Sequence, residues 1–149
     1  MNIGFVGTRF AGVDGVSLET QKLAHVFREM GHKCFYCAGE LDGNAQPGTL
    51  VPEMHFTHPE AKALHDEAFA APTLPSAYFE RLYASADTIR AALSDFVTQN
   101  EIDLIVPQNA LTIPMNLALG IAITDLIKRT RVKALAHHHD FYWERDRFI

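Results

Sequence analysis

The stretch NIGFVGTRFAGVDGVSLETQKLAHVFREMGHKCFYCA, residues 2–38, predicts a strand, a loop, a helix and a second strand in that order. Its first apolar run ends in Gly7 and Thr8, and a glycine-containing loop follows. The helix is indicated by apolar residues that recur at three- and four-residue steps, namely Leu23, Val26, Phe27 and Met30. Gly31, directly after them, is a typical helix C-cap. The stretch therefore indicates the start of an α/β sheet.

The rest of the chain continues the alternation. Residues 40–52 have no periodicity and predict a loop. Further strands are expected over 53–58, 102–109 and 132–139, and further helices over 59–70, 76–99 and 114–129. Strands that alternate with helices imply a parallel sheet with right-handed crossovers. We therefore predict one α/β domain, a Rossmann-like doubly wound parallel sheet with helices on both faces.

Ligands of such a sheet bind beyond the carboxyl ends of its strands. The predicted elements place four segments there: residues 7–17, 38–43, 107–114 and 137–145.

Length and charge limit the possible classes of protein. A chain of 149 residues with 48% hydrophobic composition can bury one substantial core. The net charge is -5, and the longest basic run is the short KRTR at 128–131, which argues against a nucleic-acid partner. The first apolar run is too short to span a membrane. We expect a soluble, cytoplasmic protein without a membrane span.

The two cysteines, Cys34 and Cys37, have the C-x-x-C spacing of redox and zinc sites. They lie in a predicted strand, however, where residues three apart point to opposite faces. Two thiols on opposite faces cannot form a bridge or share a metal. We therefore expect both to be core residues.

The loop after the first strand contains neither the G-x-G-x-x-G nor the P-loop pattern. A helix begins after Asp14 and Gly15, and Ser17 and Thr20 supply hydroxyl groups near its start. The free N–H groups of a helix N-terminus suit a phosphate or carboxylate. The alternative is an ordinary capped helix in which Asp14 or Ser17 only satisfies backbone donors.

Three consecutive histidines close the last predicted strand. His137 and His139 would share one face, and His138 would lie on the other. A metal site would need a distant third ligand such as His55, His58 or His65. No helix has H-E-x-x-H spacing, and we expect no metal. In a structural role, His138 packs against a helix and His139 ends the strand.

Other polar and aromatic residues follow the last two strands. Asn109 is placed to donate a hydrogen bond to an acceptor hydroxyl, or else to satisfy its own turn. Tyr142 and Trp143 can offer a stacking surface for a sugar, although aromatic residues after a strand more often seal the core edge.

Charged candidates complete the set. Arg9 and Arg145 can bind an acceptor phosphate or carboxylate through two hydrogen bonds each. The alternative for both is a surface ion pair with Glu144 or Asp146.

Three segments together resemble the N-terminal half of a GT-B glycosyltransferase of family 4: DGVSLETQKLAHVFREMGHKCFYCAGE (14–40), IDLIVPQNALTIPMNLALGIAI (102–123) and ALAHHHDFYWER (134–145). The resemblance covers most of the chain and weakens between about 41 and 75. It implies the acceptor-side domain of a retaining transferase. The substrates would be a nucleotide-sugar donor and a small or lipid-linked hydroxyl acceptor, with no further cofactor. A C-terminal donor-binding domain is then expected beyond residue 149, and peripheral membrane contact is compatible with this class.

The resemblance also implies site residues. The family's Gly-Gly-Val turn, which approaches the donor diphosphate or the acceptor, corresponds here to Asp14, Gly15 and Val16. Asp14 then either caps the helix or contacts an acceptor hydroxyl. The family's histidine that faces the donor sugar corresponds best to His139, followed by Asp140. His139 is therefore the predicted catalytic residue.

Two other functions compete with this one. A flavodoxin-like or receiver-like binding module shares the fold class, but a receiver needs an acidic pair after its first strand, and VGTRFAG (6–12) has none. A metal-dependent hydrolase that uses the histidines is the remaining alternative.

Overall fold

A computed structural model describes residues 1–70 and 72–148. Within these residues the chain forms a five-stranded parallel sheet in the order β3-β2-β1-β4-β5. The strands are β1 (Asn2–Gly7), β2 (Lys33–Ala38), β3 (Gly48–Leu50), β4 (Leu104–Pro107) and β5 (Lys133–Ala134). The α-helices are α1 (Gly15–Glu29), α2 (Pro59–Ala70), α3 (Ser76–Gln99) and α4 (Leu117–Thr130). Short 3-10 turns span Pro52–Met54, Tyr142–Glu144 and Asp146–Phe148. The predicted fold class is confirmed.

The sheet is covered on both faces. Helix α1 packs over one face through Ala24, together with Leu23 and Phe27. Helices α2, α3 and α4 cover the other face, where the largest apolar cluster of the described residues lies. Burial of both faces by crossover helices is the usual arrangement of an all-parallel sheet.

The cysteines follow the period of the strand. Cys34 belongs to the cluster beneath α1, whereas Cys37 belongs to the cluster beneath α3 and α4. Both are free and buried, and burial raises the pKa of Cys37 to about 12. The prediction that they are core residues on opposite faces is confirmed.

The predicted position of the third strand, residues 53–58, is wrong. Residues 53–58 form no strand; Pro52–Met54 is a 3-10 turn, and Met54 is fully buried in the core. The strand is instead Gly48–Leu50, inside the segment predicted as a loop, and it pairs with β2 from Tyr36 onward. A three-residue edge strand is too short to show alternation, so only the pairing with β2 reveals it.

Helix α4 begins at Leu117, three residues later than predicted, and Pro114 therefore lies outside it. Asn116 is the N-cap, and its side chain accepts a hydrogen bond of 3.0 Å from the N–H of Leu119. The start of α4 is therefore fixed by an asparagine cap.

The last strand is shorter than the predicted 132–139. Regular pairing ends at Ala134, although the N–H groups of Leu135 and His137 still donate to carbonyls of β4 and its end, Ile105 and Pro107, each at 2.9 Å. β5 lies at the sheet edge, and Leu135 directly after it is 51% exposed.

Helix α1 buries a slightly different face from the one that the spacing of its apolar residues suggested, and α3 also leaves large apolar side chains exposed. On α1, Val26 and Met30 remain exposed, and on α3 Phe79 and Tyr83 do. Tyr78 of α3 is 2% exposed, and its hydroxyl donates a hydrogen bond to the carbonyl of Leu64 in α2. Among the residues described, no helix combines the length and apolarity needed to cross a bilayer.

Candidate functional site

A cavity of about 240 Å³ opens beyond the carboxyl ends of β1 and β4. Five residues singled out from the sequence line it: Arg9, Asp14, Val16, Asn109 and Arg145. Further polar lining comes from Thr8, Gln108 and Asn116, and apolar lining comes from Phe56, Ile113, Met115 and Leu119. The cavity therefore lies where the fold predicts a ligand site.

Asp14 caps helix α1. Its Oδ1 accepts a hydrogen bond of 3.0 Å from the N–H of Ser17, and its Oδ2 accepts one of 2.8 Å from the Ser17 hydroxyl. Arg9 Nη2 donates to the same Oδ2 at 3.0 Å. Burial alone would raise the pKa of Asp14, but the bonds from Ser17 and Arg9 outweigh it and lower that pKa. The capping alternative for Asp14 is thus observed, and its contact with an acceptor hydroxyl stays a prediction.

Arg9 pairs with carboxylates from two loops. Besides Asp14, its nearest carboxylate is Glu40 after β2, with an Nε to Oε2 distance of 3.9 Å. Glu40 in turn lies 3.1 Å from Nε2 of His55. The surface pair of Arg9 with Glu144 or Asp146, weighed from the sequence, is not observed.

Gly15 has open space beside its backbone. A Cβ atom built on this residue would meet no atom within 4 Å. Its neighbours Asp14 and Val16 both line the cavity, whereas Gly15 does not. Steric crowding within the protein therefore does not explain why this residue is a glycine.

Asn109 ties the end of β4 to the segment that contains His139. Its backbone has a φ of +60°, a left-handed conformation that asparagine tolerates better than most residues. Its Oδ1 accepts from the N–H groups of His139 at 3.1 Å and Asp140 at 3.4 Å, and its Nδ2 donates to Asp140 Oδ1 at 2.5 Å. This buried side chain holds two segments about thirty residues apart, beyond the local turn considered from the sequence.

Arg145 pairs with Asp140 and not with Glu144 or Asp146. Its Nε donates to Asp140 Oδ2 at 2.6 Å, and its Nη2 donates to the same oxygen. Burial would raise the pKa of Asp140, but hydrogen bonds from Asn109 and Arg145 lower it. Arg145 lines the cavity, whereas Asp140, which accepts its hydrogen bonds, does not.

His139 lies behind the cavity wall. Its Nε2 is 2.8 Å from Oε1 of Gln108, which lines the cavity, whereas His139 itself does not. Burial and the neighbouring His137 lower the pKa of His139, so the ring is neutral near pH 7. The proposed contact of His139 with a donor sugar stays a prediction.

His137 and His139 lie on one side of this segment and His138 lies on the other, as the alternation of a strand predicts. The rings of His137 and His139 are 4.4 Å apart, whereas the His138 ring contacts Phe141 at 5.8 Å. His138 is exposed, so the structural alternative in which it packs against a helix is not observed. Within the described part of the chain, no three His, Cys, Asp or Glu side chains are grouped so as to hold a metal ion.

The aromatic residues after His139 remain at the surface. Trp143 is 56% exposed and stacks on Phe141 with centroids 4.6 Å apart. Tyr142 is 48% exposed, and Glu144 accepts a hydrogen bond from the N–H of Phe141 at 2.7 Å. Neither Tyr142 nor Trp143 seals the core, and neither lines the cavity, so sugar stacking by Trp143 stays a prediction.

Gln108 and Asn116 are lining residues that the sequence did not single out. Asn116 Nδ2 donates to the carbonyls of Glu53 at 3.0 Å and Met54 at 3.2 Å, which fastens α4 to the turn after β3. Gln108 directly precedes Asn109, so the rule that ligands bind at strand ends could have identified it. No local pattern indicates the long-range bonds of Asn116.

No family model matches the chain. It is similar to proteins named mannosylglucosylglycerate synthase, which are glycosyltransferases. The identity is 30% over 147 residues with the protein of Petrotoga mobilis and 30% over 158 residues with that of Thermotoga maritima. These alignments cover 98% and 100% of this chain but 33% and 34% of the relatives. The chain thus spans about a third of the length of the curated relatives it matches.

Proposed function

We propose that the chain is the acceptor-side domain of a retaining GT-B glycosyltransferase of family 4. It binds an acceptor whose hydroxyl group receives a sugar from a nucleotide-sugar donor. The observation that carries the proposal is the cavity at the strand ends, where two guanidinium groups and three amide side chains meet in a chain similar to glycosyltransferases.

The acceptor is a small sugar derivative that contains a carboxylate. The names of both relatives include glycerate, which is an acid. Arg9 and Arg145 line one cavity, and a guanidinium binds a carboxylate through two parallel hydrogen bonds. Asp14 and Asp140 hold the two arginines in place but leave other N–H donors available on each.

Other cavity residues suit the sugar part of such an acceptor. Gln108 Nε2 has no partner and Asn109 Nδ2 uses one of its two hydrogens for Asp140, so both amides can still donate to sugar hydroxyls. Asn116 uses both Nδ2 hydrogens for the carbonyls of Glu53 and Met54 and can only accept, through Oδ1. Phe56 and Met115 provide apolar surface for the C–H faces of a sugar ring. The lining therefore combines apolar walls with a few placed polar groups, as small-molecule sites do.

The donor would be bound mainly by a C-terminal domain. Retaining transfer passes through an oxocarbenium-like state while negative charge develops on the leaving diphosphate, which requires preorganised donors and cations. In this chain the two cavity-lining arginines are paired with Asp14 and Asp140, and their remaining donors are assigned to the acceptor carboxylate and not to the diphosphate. This domain supplies acceptor binding and a contact from His139 to the donor sugar, and no cofactor other than the donor substrate is required. Similarity to glycosyltransferases does not favour the flavodoxin-like module or the hydrolase.

Calorimetry on the 149-residue chain tests acceptor binding directly. Glucosylglycerate should bind, and glucosylglycerol, in which an alcohol replaces the carboxylate, should bind at least about tenfold more weakly, a difference of roughly 1.4 kcal/mol. Arg9→Met and Arg145→Met should each remove most of this preference for the acid. Equal affinity for the two compounds, or no binding of either, would contradict the proposal.

A further inference from the structure

Gln108 touches both the cavity and the predicted catalytic histidine. It follows β4 directly, is 2% exposed and lines the cavity. Its Oε1 lies 2.8 Å from His139 Nε2. A single buried side chain thus connects His139, which lies behind the wall, with the space that a ligand would occupy.

The contact between Gln108 and His139 selects one form of the imidazole ring. An amide oxygen can only accept a hydrogen bond, so His139 must donate from Nε2. The lowered pKa keeps the ring neutral, and a neutral ring protonated at Nε2 has an accepting lone pair at Nδ1. None of the described residues forms a hydrogen bond with that Nδ1.

The other end of the Gln108 amide has no partner. Among the described residues, the buried side-chain atoms that lack a hydrogen-bond partner are Gln108 Nε2 and His137 Nδ1. Both belong to the parallel bridge that joins the end of β4 to the histidine segment. Buried polar atoms without partners are uncommon in folded proteins, and a ligand is one of the usual ways of satisfying them. Gln108 lines the cavity, so its unpartnered Nε2 indicates that this amide bonds to something other than the protein.

We propose that Gln108 is a positioning residue of the sugar-transfer site. Through Oε1 it holds His139 protonated at Nε2, with Nδ1 free to accept a hydrogen bond. Through its amide hydrogens it donates to an oxygen atom of the acceptor in the cavity. The second role rests on the function proposed above, whereas the first concerns His139 alone.

The form of His139 can be measured in the 149-residue chain without any substrate. Two-bond ¹H–¹⁵N correlation spectra of the ¹⁵N-histidine-labelled protein distinguish the Nε2–H ring from the Nδ1–H ring, and loss of one signal in His139→Gln assigns it. At pH 7.5 the wild type should show the Nε2–H form. A predominant Nδ1–H form would overturn the assignment.

Two substitutions then test whether Gln108 is responsible. Gln108→Leu cannot accept a hydrogen bond, so the preference for the Nε2–H form should fall. Gln108→Glu places a carboxylate beside Nε2 and should move the titration midpoint of His139 upward by about one pH unit or more. The matched control Gln99→Glu adds the same charge on an exposed helix end and should leave the midpoint unchanged. Backbone amide spectra confirm that each variant is folded, and a midpoint unaffected by Gln108→Glu overturns the proposal even if Gln108→Leu does not fold.

Acceptor binding tests the second role separately. Gln108→Leu should weaken binding of the acid acceptor by about tenfold, the loss of one hydrogen bond to a buried donor, roughly 1.4 kcal/mol. If the wild type binds the acceptor and Gln108→Leu binds it equally well, donation by Gln108 is wrong while the proposed function stands. If the wild type binds no acceptor, the proposed function falls together with this second role.

Discussion

At the scale of single residues, Asp14 places a negative charge at a helix start where the proposed function needs room for an anion. The carboxylate is turned to Ser17 and Arg9, so its charge is engaged in a cap and an ion pair. Arg9 is thereby fixed at the cavity wall. A paired carboxylate of this kind repels a bound acid much less than a free one would.

The Gly15→Ala variant distinguishes a role of this glycine in stability from a role in ligand binding. Because no atom lies within 4 Å of the new Cβ, the free energy of unfolding should be unchanged or rise by about 0.5 kcal/mol. If a ligand approaches this backbone closely, acceptor affinity should fall by about tenfold or more. Gly43→Ala, which also has nothing within 4 Å, is the control for both measurements. Unchanged acceptor affinity in Gly15→Ala removes this turn from the site.

His139→Ala should lower turnover in a transferase that joins this chain to its donor-binding domain. Loss of one preorganised polar contact in the transition state predicts a decrease of roughly 10² to 10³-fold in kcat. His138→Ala is a matched control, because His138 is exposed, and both its turnover and its melting temperature should remain near normal. Normal kcat in His139→Ala would exclude the residue from catalysis.

At the scale of elements, one asparagine joins two of them. Asn116 caps α4 and also donates to the carbonyls of Glu53 and Met54 in the turn after β3. This turn inserts Met54 into the core and leads to Phe56, which lines the cavity. The position of Phe56 in the cavity wall therefore depends on Asn116, which caps α4 and also holds this turn through two hydrogen bonds.

Asn116→Ala should destabilise the protein by about 2 to 3 kcal/mol, because it removes the cap and leaves two carbonyl groups without their donor. Asn116→Ser retains a capping oxygen and should recover about 1 kcal/mol of that loss. Urea denaturation measures both, with the exposed Asn44→Ala expected to change stability by less than about 0.5 kcal/mol. Equal losses in the alanine and serine variants would show that the cap contributes nothing.

At the scale of the whole molecule, the pKa shifts predict a loss of stability in acid in two steps. The pKa of His139 is lowered by burial and by His137, so the unfolded chain binds its proton first. The stability linked to His139 is thus present above its unfolded pKa of about 6.5 and is lost as the pH falls below it. Asp14 and Asp140 also have lowered pKa values, and their contribution is lost only below about pH 4.

Thermal melts between pH 8 and pH 3 test this order. The melting temperature should fall first below about pH 6.5 and again below about pH 4. His139→Gln should remove the first decrease and keep the second, whereas His25→Gln, at a position whose side chain is 73% exposed, should keep both. A first decrease that persists in His139→Gln would assign it to another group.

The chain by itself should bind the acceptor but turn over no nucleotide sugar. The two arginines that line its cavity are paired with Asp14 and Asp140, and their remaining N–H donors are assigned to the acceptor carboxylate. Among the described residues that line the cavity, none is then left to supply further positive charge for a donor diphosphate. Incubation of the purified chain with acceptor and a panel of nucleotide sugars, followed by chromatography, measures this. Transfer or donor hydrolysis that persists through repeated purification would contradict the prediction.

The order of strands and helices was determined by the sequence, because hydrophobic periodicity is a local property. It placed α3 at Ser76–Gln99, and it placed Cys34 and Cys37 on opposite faces of a strand. The rule that ligands bind at the carboxyl ends of parallel strands also directed attention to the loops from which most of the cavity lining comes.

Only the tertiary structure decided the third strand, the start of α4 and the partners of the charged residues. Gly48–Leu50 is a strand because β2 lies beside it, and α4 begins where Asn116 reaches carbonyls more than sixty residues away. Arg145 pairs with Asp140, and Asn109, about thirty residues earlier in the chain, holds that carboxylate in place through a hydrogen bond. These features depend on hydrogen bonds between groups that are distant in sequence and become neighbours only when the sheet forms, so no local pattern of residues contains them.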